Sequence, residues 1–263
     1  MNPNLRAAIP ELIGTFAVVL LTSGVVVASG LAEPGIRPLT IAVAAGCSYA
    51  AALAFTVRLS GGFLNPAITI TLWVFQRIEN RRAIWFLIAQ CVGTLLAGLV
   101  LRGQFFINEN LLLETRLGTP HLNAKAFDVL GVDRSSVFLG ISIEAVLTFV
   151  LVFAIFLLIF DPRFRKAAGD VPYRLSYLWL GLLVAAETLL AQSYTGASLN
   201  PARWLGGVIW ESTVSGLQSR EPWSDHGPYW IGPLLGSVLA GMLYTYVIAP
   251  PEARKGSPTD GMP

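Results

Sequence analysis

Six apolar stretches long enough to cross a bilayer, and two more of only half that length, constrain what this chain can become. Continuous apolar runs occupy Leu12–Val27, Ala83–Leu101, Val137–Phe160 and Leu175–Ala191. About twenty residues of helix cover the ~30 Å of hydrocarbon in a membrane. Allowing for flanking residues, the spans are expected at Ala8–Ser29, Leu39–Arg58, Ala83–Leu101, Val137–Phe160, Leu175–Gln192 and Tyr229–Ala249. The half-length pieces are Pro66–Gln76 and Pro201–Trp210. Ten or eleven helical residues reach only ~15 Å, so their open ends must face protein or a water-filled cavity, since lipid offers free peptide groups no partner. That points to a pore.

Composition agrees with lipid as the solvent. Hydrophobic residues make up 54% and charged residues 13% of the 263, against about a quarter charged in a soluble domain. A net charge of +2 gives no basis for nucleic-acid binding. Cys47 and Cys91 both lie in apolar segments and are expected as free, buried thiols rather than a disulfide. Arg6, the apolar run after it and the small residues near Ala28 resemble a cleavable signal. Glu11 inside the run, and the repeat described next, favour a retained first span.

The chain repeats itself. Glu11-Leu12-Ile13-Gly14-Thr15-Phe16 returns as Glu144-Ala145-Val146-Leu147-Thr148-Phe149, 133 residues later. Ser60-Gly61-Gly62-Phe63-Leu64-Asn65-Pro66-Ala67 returns as Thr195-Gly196-Ala197-Ser198-Leu199-Asn200-Pro201-Ala202, 135 residues later. The units are residues 1–133, with the short segment 66–76, and 134–249, with the short segment 201–210. Each unit carries three spans, an odd number, so the second copy enters the membrane inverted and the two short segments meet near the midplane. Residues 250–263 read as a disordered cytoplasmic tail. Arg77, Arg81, Arg82, Arg163, Arg165, Lys166, Arg254 and Lys255 fall on one side; the excess of Lys and Arg places that side, with both termini, in the cytoplasm of a plasma or bacterial inner membrane.

Asn65-Pro66-Ala67 and Asn200-Pro201-Ala202 carry the chemistry. Asn is a favoured N-cap, and Pro suits the first helical position, where a missing N–H costs nothing. One copy is an ordinary helix start; two, each opening a half-length helix after a Gly-containing turn, mark a site. The facing helix N-termini bring partial positive charge to the midplane. The Asn amides can offer N–H donors to a passing oxygen, while cations and protons meet a barrier. Arg203, always charged, is expected to face the pore as a donor and a cation-repelling charge, since exposure to lipid is costly. Glu11 and Glu144 occupy equivalent places within spans and are expected to face the bundle interior and accept from the free N–H groups of the re-entrant loops. Glu187 has no counterpart in the repeat. It is either a functional acid or a partner of the long 102–136 connection. Gly93 with Ala97, and Gly232, Gly236 and Ala240, fit close helix crossings.

Two Asn-Pro-Ala copies, the Arg after the second, and the Glu in the first and fourth spans resemble the aquaporin, or major intrinsic protein, family over nearly the whole chain. The resemblance implies an all-α integral membrane fold, an aquaporin-like inverted repeat of six transmembrane helices and two re-entrant half-helices. It further implies a homotetramer in the lipid bilayer with a pore in each subunit, for which water and small neutral solutes are the partners. Counting from the two Asn residues carries the family's selectivity filter onto Ala45, Thr188, Ala197 and Arg203. Strict water channels are similar to one another in having Phe and His at the first two places, and glycerol channels in having Trp and Phe; neither fits here. Small residues at the first and third places are similar to nodulin-26-like channels for boric or silicic acid. Tyr229-Trp230 resembles the water type, and Trp204 fits neither. The implied function is passive passage of water and glycerol, urea or metalloid acids, or of water alone. An ion-coupled secondary transporter using Glu187 is the alternative from another class. With His121 and His226 in loops and no metal-ligand or nucleophile–base spacing, neither enzyme activity nor a cofactor is expected.

Overall fold

A computed structural model of the chain describes residues 2–31, 34–129, 136–164, 170–218 and 221–250. The tail 251–263 and the basic residues Arg165, Lys166, Arg254 and Lys255 lie outside them. Ten α-helices carry the argument: α1 Pro3–Ser29, α2 Arg37–Thr56, α3 Pro66–Val74, α4 Asn80–Phe105, α5 Glu109–Thr115, α6 Ala124–Val129, α7 Ser136–Ile155, α8 Asp170–Thr195, α9 Pro201–Glu211 and α10 His226–Met242. Among the described residues six helical spans are long and apolar enough to cross a membrane: Pro3–Ser29, Arg37–Thr56, Asn80–Phe105, Val137–Phe160, Leu175–Thr195 and His226–Ile248. These cover the expected spans, with ends displaced by a few residues. The last turns of α7 and α10 widen into π-helix, Phe156–Phe160 and Leu243–Ile248.

The packing follows the repeat. α1 lies along α4, and α7 along α10; α2 and α8 form the central seam between the units. Each half-helix crosses to the other unit, α3 packing on α10 and α9 on α4. Small residues set these distances. A Cβ on Gly93 would meet the α1 backbone at Leu12 and Phe16, and one on Gly236 would meet the α7 backbone at Ala145 and Phe149. Ala97 and Ala240 are fully buried in the same seams. Without a hydrophobic drive between helices in lipid, such backbone-to-backbone approach supplies the dispersion that holds a bundle together. Large apolar side chains such as Leu21, Ile84, Ile88, Leu182 and Leu190 are instead exposed on the outside, as a lipid-facing surface requires. Cys47 and Cys91 are free, but their expected burial is corrected. Cys47 is exposed and Cys91 half-buried, because they point to the outer faces of α2 and α4 rather than into a seam.

The 102–136 connection is more structured than its mixed composition suggests. It folds α5, a 3-10 turn at Arg116–Gly118 and α6 over one end of the bundle, the end opposite the α1 N-terminus. Gly236→Leu is expected to push α10 off α7 and destabilise the protein by more than about 2 kcal/mol, the scale of an overpacked core. A drop in the thermal midpoint of detergent-solubilised protein would check it.

Candidate functional site

Asn65 and Asn200 cap α3 and α9 by the same geometry. Both have extended backbone, φ −154° and −149°, and each side-chain Oδ1 accepts from the amide two residues on, Ala67 N and Ala202 N, at 2.9 Å. The carboxamide nitrogens cross between the units. Asn65 Nδ2 donates to the Leu199 carbonyl at 2.7 Å, and Asn200 Nδ2 donates to the Leu64 carbonyl at 2.9 Å. An amide NH₂ has two hydrogens, so each Asn keeps one for a molecule in the lumen rather than both.

The crossing requires Leu64 and Leu199 to turn their carbonyls toward the opposite unit. Both adopt left-handed backbone, φ 54° and 55°, at a cost of about 1–2 kcal/mol each for a residue with a Cβ. Buried carboxylates hold them there. Glu11 accepts from Ser60 Oγ (2.6 Å), Phe63 N (3.0 Å), Leu64 N (2.7 Å) and Gln90 Nε2 (2.8 Å). Glu144 accepts from Thr195 Oγ1 (2.7 Å), Ser198 N (2.9 Å) and Leu199 N (2.7 Å). Both are fully buried, and apart from the Gln90 bond from α4 their bonds are spent on the two loops.

One cavity of about 40 Å³ runs past both caps. Its lining brings together Ala45 of α2, Thr188 of α8, Ala197, Arg203, Asn65 and Asn200, with Val18, Leu151 and Val184 as an apolar wall. The volume accommodates a few water molecules in file, at roughly 10–15 Å³ each on this measure. Arg203 is 5% exposed; its Nη1 donates to the Gly196 carbonyl at 3.0 Å and to the Ala197 carbonyl, while Nε has no protein partner among the described residues. Tyr229 Oη supports the same loop by donating to the Thr195 carbonyl at 2.7 Å, and its ring stacks on Trp204. The sequence offered Tyr229 only as a family marker; its hydrogen bond depends on the α10–loop distance, which no spacing along the chain reveals.

Glu187 stands apart. It is 4% exposed, is not among the residues lining the cavity, and neither carboxylate oxygen has a protein partner among the described residues. The alternative of a bond to the 102–136 connection finds no partner among the described residues of that connection.

Comparison with known proteins decides the family. The model of the family described as "Major intrinsic protein" matches residues 1–244. The chain belongs to the major intrinsic protein family. It is 34% identical over 244 residues to aquaporin TIP4-4 of Zea mays, covering 91% of this chain and 85% of that one. It is also 34% identical to aquaporin-1 of Rattus norvegicus, over 84% of this chain and 71% of the relative. The aquaglyceroporin from Plasmodium falciparum superposes with a TM-score of 0.78 at 20% identity, covering 96% of this chain and all of that one; this likeness shows the shared fold. A member of this family is a multi-pass membrane channel for water and small solutes, not an enzyme, and not an ion-coupled transporter.

Glu144→Gln is expected to set an NH₂ against the Leu199 or Ser198 amide and leave a buried donor unpaired. Each such group costs about 1–3 kcal/mol. Water flux per folded channel in proteoliposomes is expected to fall at least about ten-fold.

Proposed function

We propose that the chain is a passive channel for water and a small uncharged solute such as glycerol, urea or a metalloid acid (boric or silicic acid), and that it excludes ions and protons. The observation that carries this reading is the single cavity shared by Ala45, Thr188, Ala197, Arg203, Asn65 and Asn200. Its polar contribution consists largely of donors. One hydrogen on each Asn and the Arg203 guanidinium meet a permeant's oxygen, while Val18, Leu151 and Val184 offer nothing to compete. Each half-helix adds about half a positive charge at its N-terminus, so an oxygen with lone pairs is welcomed and a cation is not. A water accepting from both Asn amides turns its own hydrogens outward in opposite directions, which breaks a proton wire at that point.

Ala45 and Ala197 present no bulk at the constriction, and this supports a permeant larger than water. An aquaglyceroporin among its structural neighbours is consistent with that. A strict water channel is the second reading, favoured by the small cavity volume of about 40 Å³. We further infer a homotetramer with one pore per subunit, in a plasma or bacterial inner membrane, with both termini on the cytoplasmic side given by Arg77, Arg81, Arg82 and Arg163.

Stopped-flow light scattering on proteoliposomes tests the reading. Water flux is expected well above that of empty vesicles, and at least one of glycerol, urea and boric acid should follow. Water flux with none of the three would leave the strict water channel standing. Arg203→Ala is expected to raise proton or cation leak measured with a pH-sensitive dye by at least about ten-fold, since a fixed positive charge at the constriction is removed. Glu187→Gln is expected to change water flux less than about two-fold, as its side chain lies off the cavity.

A further inference from the structure

The connection between the third and fourth spans runs as a strap, residues Arg116–Asn123, against the loop that precedes α9. Gly118, at φ +72°, rests on the Ser23 backbone of α1; Thr119 packs on Gly207 of α9; and Pro120 lies against Gly196. Asn123 closes the crossing on the C-terminal end of α8, its N bonding the Tyr194 carbonyl and its Nδ2 the Ser193 carbonyl, each at 2.9 Å. Gly196 is the residue whose carbonyl holds Arg203. The strap is thus the backing of the wall to which the filter arginine is tied.

Four charged side chains pin this strap. His121 Nε2 lies 2.6 Å from Glu211 Oε2 at the end of α9, and Nδ1 lies 2.9 Å from Asp225 Oδ2 before α10. Arg116 Nε donates to the other Glu211 oxygen at 2.7 Å, and Leu122 N donates to Asp225 Oδ2 at 3.2 Å. Both carboxylates are acceptors, so two bonds from one imidazole require a hydrogen on each ring nitrogen. That is the imidazolium form. A neutral ring keeps one N–H and turns a lone pair toward the second carboxylate.

We propose that the His121–Glu211–Asp225–Arg116 cluster is a positioning latch for Arg203 that responds to pH at the strap end of the pore, keeping it open while His121 is charged and narrowing it when His121 is neutral. The proposal deepens the channel reading and rests on it. With the latch closed, the strap backs Gly196, and Arg203 is held against the wall by the Gly196 and Ala197 carbonyls. With one bond lost, the backing loosens and the guanidinium is free to lie across the constriction.

Burial works against the charged imidazole, but the hydrogen bonds to Asp225 and Glu211 outweigh it and hold the His121 pKa above its ordinary value near 6.5, with Arg116 opposing. Burial pushes Asp225 up, but the bond and charge of His121, the Leu122 amide and the Arg116 charge together outweigh it, so its pKa lies below the usual range. The strap's remaining contacts, to Ser23, Ser193, Tyr194, Gly196 and Gly207, involve no titratable side chain. Tyr229, on α10, also feels Asp225 and Arg116, but it makes its own bond to Thr195. His226 is exposed and bonds the Trp223 carbonyl. Because the folded pKa of His121 is raised, the latch is complete at and below the ordinary histidine range and is lost as pH rises through the higher folded value.

The test is per-channel water permeability of the full chain in proteoliposomes, with both sides equilibrated between about pH 6 and about pH 9. The wild type is expected to lose at least about three-fold across a single transition whose midpoint lies above about 6.5. His121→Gln, which cannot carry two opposed donors, is expected to be flat at the lower value. Asp225→Asn, which removes one of the two anions, is expected to move the midpoint down. A wild-type flux that is well above empty vesicles and flat with pH overturns the latch and leaves the channel reading intact. So does a transition that persists in His121→Gln or does not move in Asp225→Asn. Absence of water flux at every pH overturns both readings.

Discussion

Everything about this pore depends on two asparagines exchanging hydrogen bonds across the middle of the bundle. Asn65 reaches the Leu199 carbonyl and Asn200 the Leu64 carbonyl, so each half-helix is tied to the turn that introduces the other. The tie needs left-handed backbone at Leu64 and Leu199, a strained conformation that persists only where surroundings over-determine it. Glu11 and Glu144 provide that constraint from behind by taking the amides that the turn leaves free. Burying a carboxylate without partners is costly; here three or four donors converge on each. The same bonds leave one amide hydrogen on each Asn and both helix N-termini directed at the cavity. Structure and selectivity therefore share one set of hydrogen bonds.

The duplicated framework is not symmetric where it meets solute. Arg203 on α9 corresponds to Ile68 on α3, fully buried and apolar. Gly62 in the first turn corresponds to Ala197 in the second, both left-handed, and the Ala197 carbonyl is one of the two that hold Arg203. Gln90 adds a donor to Glu11, whereas in the second unit Tyr229 instead braces the loop through Thr195. One unit has kept a plain helix start, and the other has acquired a charged constriction with an aromatic brace and a strap over it.

Much of this was legible in the chain. Spans of about twenty apolar residues could only cross lipid, and half-length ones opening with Asn-Pro could only end in a polar cavity, so the six crossing helices and α3 and α9 followed from length and capping. Gly93 and Gly236 betrayed close crossings because nothing larger than hydrogen fits against the backbones of α1 and α7. What escaped depended on distances across the fold. That one hydrogen of each Asn is consumed follows from the 2.7 and 2.9 Å cross-bonds, not from the motif. His121, read as a loop residue, meets Glu211 and Asp225 some 90 and 104 positions away. Cys47 and Cys91 looked buried because apolar neighbours in sequence surround them, yet in a membrane helix apolar neighbours mark the lipid face as readily as the core. Glu187 was marked as unusual by type alone; its isolation from every protein donor among the described residues could be seen only in three dimensions.

The most direct test of the account is an experimental structure in lipid at a resolution that locates water in the pore. The account predicts an unbroken single file, with one oxygen at hydrogen-bond distance, about 3 Å, from both Asn65 Nδ2 and Asn200 Nδ2, and another beside Arg203. A dry, closed packing between the two amides, or an ordered file of water that bypasses them, would contradict it.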